Sequence, residues 1–372
     1  MDKKKFFTPI VRNEKIGAEI KLSEEEKKNR VEKRSGQNSL SKYILKWWRG
    51  DAHTHSKEST REGFCYPEGI YDIQEIMKYY QELGLEFTCF TEHASNPGTP
   101  EKQALDSEIL NSIIAEMYKI EKINKEKKLT IIALSGVETN IFYDKDDKII
   151  LDVPDEILQK LDLVIASRHA LPSELEKKPE EIQKTLMVAI KNKNVDVIGH
   201  PDRYTRLDGQ QSKKYWKKYW KIWPKILQEM KSNNKAFEIN LNNPPSKKLI
   251  ELAVKKGLVF FINYDAHDFN QYKKDGNDSV KQCEPIKRKW SKNNINKDDL
   301  KILQNYKENR LSSGPGIKAI LKLVKQIKFL ELLGVTPDKI INSSKKNLLN
   351  FLTKKKEKTT LNLKYLIEKN EK

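Results

Sequence analysis

WWRGDAHTHS, residues 47–56, sets an acid and two imidazoles at alternate positions where an apolar run ends. The chain has six histidines in 372 residues, so a pair two apart concentrates a scarce side chain. Side chains on a β-strand alternate between faces, and the spacing predicts that Asp51, His53 and His55 project to one side. Two neutral imidazoles held close on a rigid element form half of a metal site. Read alone, the pair also fits two surface histidines. The other histidines separate these readings.

Seven short apolar runs read as buried strands: 43–50, 85–91, 129–137, 161–167, 195–199, 236–241 and 258–264. Helical patterns lie between them, at 67–84, 107–127, 176–193, 212–233 and 246–256. Alternating strands and helices imply parallel strands joined by right-handed crossovers, closed into a barrel or left as an open doubly wound sheet. Residues 316–334 and 337–352 continue as helices. The polar, basic stretch 269–313 reads as an insertion or lid, and 1–44 and 354–372 as mobile basic arms around a body at 45–353.

Each run ends in a polar signature. In chain order these are DAHTH (Asp51, His53, His55), TEH (His93), GVET (Glu138), SRHA (His169), GHPDR (His200, Asp202, Arg203), then Glu238, Asn240 and Asn242, and YDAH (Asp265, His267). All six histidines therefore fall at or just past the C-terminal ends of predicted strands. In parallel α/β folds those ends share one rim, where sites are built. Six imidazoles with Glu138 and Asp265 exceed what one tetrahedral ion takes, so two or three ions are the natural count. Glu138 is suited to bridge two of them. Mixed nitrogen and oxygen donors suit zinc, manganese or iron. Metal-bound hydroxide would then be the nucleophile at neutral pH.

Composition narrows the setting. Cys65, Cys89 and Cys283 are odd in number and far apart, which argues against a disulfide framework or thiolate site and suggests a reduced cytoplasm. No stretch reaches the roughly 18 apolar residues of a membrane span, and none of the N-terminal residues form a signal-like apolar core. The net charge of +18 is uneven. Residues 1–44, 213–235, 269–313 and 354–372 carry +21 between them, leaving −3 elsewhere. That pattern fits a polyanion-binding surface, and it fits equally a chain biased towards lysine throughout.

The ordered series DXHXH, T(D/E)H, GXE, a lone His, GHP and DAH resembles the polymerase and histidinol phosphatase (PHP) superfamily, over about residues 45–270 and on through 352. The resemblance implies a distorted (β/α)7 TIM-like barrel with helical C-terminal closure. It also implies a metal-dependent phosphoesterase with His53, His55, His93, Glu138, His169, His200, Asp265 and His267 as ligands. The family's ninth ligand position falls on Arg61, which does not ligate cations. Either Glu58 or Glu62 takes that place, or Arg61 grips phosphate instead. Arg61, Arg168 and Arg203 are the candidate phosphate clamps, each also readable as a rim salt bridge. Asp51 is expected to orient a ligand imidazole from behind, with Asp202 and Asn240 as further candidates.

Three functions follow as expectations. The first is hydrolysis of a phosphorylated small molecule, and the second cleavage of nucleic acid by the same centre. The third is a non-catalytic, metal-stabilised interaction module; C–N hydrolysis is a distant fourth. Trp216, Trp220 and Trp223 share one face of the basic segment 213–231, as a buried barrel helix or as a stacking platform for bases.

Overall fold

The computed structural model describes residues 42–59, 69, 71–95, 106–169, 178–203, 218–267, 317–353 and 360–368. Arg61, Glu62, Cys65, Trp216, Cys283, the N-terminal arm to residue 41 and the stretch 269–313 lie outside them.

Seven strands form one parallel sheet: β1 (Gly50–Thr54), β2 (Phe87–His93), β3 (Ile132–Tyr143), β5 (Leu163–Ser167), β6 (Val197–Ile198), β7 (Ala236–Asn240) and β8 (Phe260–Asn263). A short β4 (Ile149–Leu151) folds back antiparallel on the end of β3. Helices α1 (Ile73–Glu82), α2 (Ser107–Glu126), α3 (Pro179–Lys191), α4 (Trp223–Ser232) and α5 (Lys247–Lys255) connect the strands, and α6 (Ile317–Leu332), α7 (Lys345–Thr353) and α8 (Leu361–Glu368) follow. The sheet curls until β1 meets β8, giving a nearly closed barrel of the distorted (β/α)7 kind. Among the described residues no helix is long and apolar enough to cross a membrane.

Alternation along the strands makes two cores. Ala52, Phe87, Cys89, Ile132, Leu134, Leu163, Ile165, Val197, Ala236 and Phe261 fill the lumen. Their neighbours, among them Phe90, Ala133, Val137, Val164, Ile198, Phe237 and Ile262, face outward against the helices. Cys89 is thus a small core residue. Trp223 is fully buried and Trp220 partly so in the outer layer, as a barrel helix requires.

The barrel closes through side chains more than through a ladder. At the top, His55 N donates to Ala266 O (2.9 Å) and Ala266 N to His53 O (3.3 Å). Lower down, Ala52 N donates to Asn263 Oδ1 (3.1 Å). Below that, Asn342 Nδ2 donates to Gly50 O (2.8 Å) and Ile262 O (2.6 Å), while Ile262 N donates to Asn342 Oδ1 (3.1 Å). One amide therefore supplies the backbone partners that β1 and β8 lack from each other.

Four expectations change. Residues 42–47 are helical and the strand starts only at Gly50. Ile44, Trp47 and Trp48 are buried at helical spacing, so the apolar run is one face of a helix. In β1 the register shifts between Asp51 and Thr54, a bulge that lets Ala52 face the lumen and turns His53 inward while Asp51 points out to Tyr80. Asp51, His53 and His55 thus do not share a face. Residues 337–343 make two 3₁₀ turns, and α7 begins only at Lys345, where Ser344 Oγ accepts from Asn347 N (3.1 Å). Finally, part of the presumed C-terminal arm is the helix α8. Its Leu363 and Leu366 plug the lumen floor and Asn362 pairs with Asn124 and Asp162.

Candidate metal centre

At the C-terminal rim of the barrel, Glu138 lies between two groups of imidazoles. Its Oε2 is 3.1 Å from His53 Nε2, 3.4 Å from His55 Nε2 and 3.2 Å from His93 Nδ1. Its Oε1 is 3.2 Å from His169 Nε2 and 2.9 Å from His200 Nε2. Asp265 Oδ1 is 3.5 Å from His53 Nε2, 3.3 Å from His55 Nε2 and 3.6 Å from His267 Nδ1. All eight predicted ligand residues are gathered in one cluster, buried except for the partly open His267.

The strands aim these groups. Period-2 alternation turns His93 of β2 and Glu138 of β3 inward, four positions beyond the lumen residues Cys89 and Leu134. His200 and Asp265 have positive φ, 22° and 59°, which non-glycine residues seldom adopt. Both stand just past a strand end, where the chain must turn out over the rim. Such strain is characteristic of sites held by their surroundings.

The outward nitrogens decide which way the rings are protonated. His169 Nδ1 lies 2.5 Å from Asn140 Oδ1, and Asn140 Nδ2 is given to Asp152 Oδ2 (2.6 Å), so the ring donates. His53 Nδ1 donates to the Glu238 carboxylate (2.7 Å). His55 Nδ1 meets Ser59 Oγ (3.2 Å), whose own proton goes to Glu92 and which also accepts from His93 N (2.9 Å). With Nδ1–H so fixed, neutral His53, His55 and His169 present Nε2 lone pairs to two carboxylates.

Lone pairs facing carboxylate oxygens at 3.1–3.5 Å repel unless a proton or cation sits between. His53 Nε2, His55 Nε2 and Asp265 Oδ1 are buried and make no hydrogen bond. Burial lowers the His53 pKa, but Glu138, Glu238 and Asp265 outweigh it and raise the ring well above its usual range. Burial likewise opposes protonation of His55, yet Asp265 and Glu138 lift it to about 9. Burial holds His93 well below the usual value and lowers His169 too. Burial raises Glu138 and Asp265, but the surrounding imidazoles hold both well below the carboxylate range. Without a cation, His53 and His55 are thus drawn towards the protonated form, while His93 and His169 stay neutral beside the ionised Glu138. This donor set fits divalent cations.

Three groups have ligand atoms close enough to share an ion: His53, His55, Glu138 and Asp265; His93, Glu138 and His169; and His55, His93 and His267. Glu138 belongs to two of them.

The remaining predicted residues divide. Arg168 is buried beside His169. Arg203 follows the His200 turn, donating its backbone N to His200 O (3.0 Å), and its charge helps to lower the His169 pKa. Asp51 orients no imidazole through its carboxylate; it accepts from Tyr80 OH (2.9 Å), Tyr264 N and His53 N (both 3.2 Å). Burial pushes its pKa up to about 7. The bulge puts it on the outer face, so it pins the backbone of β1 instead. Glu58 stands outside the cluster, its carboxylate paired with Lys119 Nζ at 2.6 Å. Asp202 fastens the loop before α5 through Ser246 N (2.9 Å), and Asn240 Nδ2 orients a carboxylate, Asp265 Oδ2, at 3.0 Å.

Sequence reasoning missed Ser59, Glu92, Asn140 and Asp152. Asn140 carried a signal: two residues after Glu138 on one strand, it must share its face. Asp152 reaches Asn140 only through the β3–β4 hairpin, whose turn DKDD (144–147) lies between apolar residues.

Comparison with known proteins adds to this geometry. A family profile described as PHP domain matches residues 51–242. The chain is 28% identical over 269 residues to the DNA polymerase/3'-5' exonuclease PolX of Bacillus subtilis, covering 69% of this chain and 40% of that protein. It is 34% identical over 152 residues to a probable phosphatase of Caldanaerobacter subterraneus subsp. tengcongensis, covering 41% of this chain and 51% of that protein. The chain thus spans about half or less of the length of these two relatives. Among solved structures it is similar to histidinol phosphate phosphatase from Lactococcus lactis subsp. lactis complexed with Zn, L-histidinol and phosphate. That similarity has 20% identity and a TM-score of 0.42, covering 65% of this chain and 93% of that chain.

Proposed function

The chain belongs to the PHP domain family, and on that premise we propose that it is a metal-dependent phosphoesterase acting on a phosphorylated small molecule. The observation that carries this is Glu138, with imidazoles on both of its oxygens and unsatisfied donor atoms of His53, His55 and Asp265 converging beside it.

In this reading His53, His55, Glu138 and Asp265 hold one ion, and His93, Glu138, His169 and His200 a second. His55, His93 and His267 offer a third position. The cations are zinc, manganese or iron, two or three per chain. When bound, they acidify water towards neutrality and draw charge from phosphoryl oxygens. The protein's own residues do the rest. Glu238, Ser59 and Asn140 keep the rings in one tautomer, so that no reorganisation is needed when charge develops. Arg203 and Arg168 lie beside His200 and His169, where a guanidinium can pair with a phosphoryl group. Arg61 is a third candidate for that role. A barrel body over 45–353, extended by α8, carries the centre.

A second reading, nucleic-acid phosphodiesterase, is favoured by the exonuclease named among the relatives and by the charge of +18. One experiment separates the two. Purified protein is analysed for metal and assayed with manganese or zinc on p-nitrophenyl phosphate, bis-p-nitrophenyl phosphate and a labelled single-stranded oligonucleotide. Two or more ions with turnover of the monoester alone is the expected result. Cleavage of the diester or oligonucleotide moves the second reading to first place. Absence of both metal and turnover overturns the proposal and leaves an interaction module.

A further inference from the structure

Glu238 on β7 is a fully buried carboxylate set behind the ligands. Its Oε1 takes His53 Nδ1 at 2.7 Å and Asn263 Nδ2 at 3.1 Å. Its Oε2 takes the backbone N of His200 at 2.7 Å and Asn240 Nδ2 at 3.4 Å. Four N–H groups thus converge on two oxygens, and among these contacts nothing asks Glu238 to donate. Only an ionised carboxylate meets that demand; an amide of the same shape brings one acceptor and one donor.

The two rings it governs flank opposite oxygens of Glu138. His53 Nε2 faces Oε2 and His200 Nε2 faces Oε1. His53 comes from β1 and His200 from the turn after β6, so β7 is placed to reach both. For His53, Glu238 fixes the proton on Nδ1 and leaves Nε2 as a lone pair. For His200, it holds the amide of a residue strained to φ 22°.

We infer that Glu238 is a positioning residue, the single carboxylate that sets the tautomer of His53 and the aim of His200 for the cations. The inference rests on the metal-centre reading above. It has a directional consequence in Glu238→Gln. The His200 amide cannot give up its proton, so the glutamine oxygen must turn to it, and the side-chain NH₂ then faces His53 Nδ1. The ring yields: its proton moves to Nε2, which then points a hydrogen at the ion position.

The test uses the full chain, native and E238Q, freed of metal by a chelator and titrated with zinc by calorimetry, with ions counted by elemental analysis. Circular dichroism reports folding. Proton NMR of the cobalt-loaded protein reports exchangeable ring N–H signals, with that of His53 assigned by its loss in His53→Ala. Leu366→Ala, on the lumen floor far from the centre, controls for general destabilisation. E238Q is expected to fold, to bind at least one ion about ten- to a hundredfold more weakly, and to lose the Nδ1 proton signal of His53. Leu366→Ala should keep native affinity. Native stoichiometry and affinity in folded E238Q would overturn the inference, as would an equal loss in Leu366→Ala. Should E238Q not fold, the native protein decides: a His53 Nδ1 proton in the loaded form supports the inference, and its absence refutes it. A native chain that binds no ion refutes the metal-centre reading itself, and the inference with it.

Discussion

Glu138 is central because its two oxygens serve different imidazoles, so removal of one donor nearby need not empty the whole centre. His53→Ala deletes one ring from the four-residue group while leaving the strand and lumen packing in place. Phosphatase activity should fall by at least about a hundredfold, since loss of supporting residues alone costs ten- to a hundredfold. The fold should survive, as judged by circular dichroism; an unchanged rate at matched metal would sink the mechanism. Gly136 makes a second point at this scale. A Cβ there would lie 2.8 Å from Leu163 O, Cys89 Sγ and Thr91 Cγ2, and the carbonyl belongs to the neighbouring strand. Gly136→Ala should therefore cost about 1–3 kcal/mol, seen as a lower melting temperature. Residues of this kind were partly legible. The clustering of the eight residues was readable from their place at strand ends, whereas Ser59 and Glu92 were not, because their contacts depend on how the turn after β1 folds back on β2.

Elements carry the correctness of the whole. Six of the seven predicted strands stand where apolar runs marked them, and the first was misplaced because its tryptophans follow helical spacing. The bulge in β1 had no sequence mark, since alternation alone gives Asp51 and His53 one face and only the packed sheet shows the slip. Helix α1 was expected over 67–84 and runs Ile73–Glu82, its start set by a cap that the pattern did not mark. Asp72 caps it, accepting from Gln74 N at 3.0 Å, and Glu75 answers with its carboxylate on Asp72 N at 3.1 Å. This capping box anchors the helix that sends Tyr80 to Asp51. Asp72→Ala should lower stability by about 1 kcal/mol in denaturant unfolding. No change would mean that tertiary packing alone holds the helix start. Helix α8 went unread because the lysine-rich run at 354–358 sets the character of that arm, while within the helix only Lys364 is basic and two leucines three apart do the burying.

For the molecule as a whole, a cation bound only by the folded state adds stability by mass action. At a free concentration one hundred times the dissociation constant, one ion contributes about 2.7 kcal/mol. Chelation should therefore lower the melting temperature, and zinc or manganese should restore it. A melting curve indifferent to chelator would count against a resident ion. Barrel closure was not readable from periodicity, which is equally consistent with an open sheet. The decision lies in Asn263, Asn342 and Asp51, which are single polar residues without a repeating pattern.

Asn342 has a further consequence, one of timing. It bonds Gly50 and Ile262, 292 and 80 positions earlier in the chain. During synthesis all seven barrel strands are made before this amide exists. At about 5–20 residues per second, the ribosome needs roughly 4–16 s to add the intervening stretch. Over that interval the lower halves of β1 and β8 are open edges. A newly made chain is thus most exposed to pairing with another copy along this seam, well away from the rim that gathers the imidazoles.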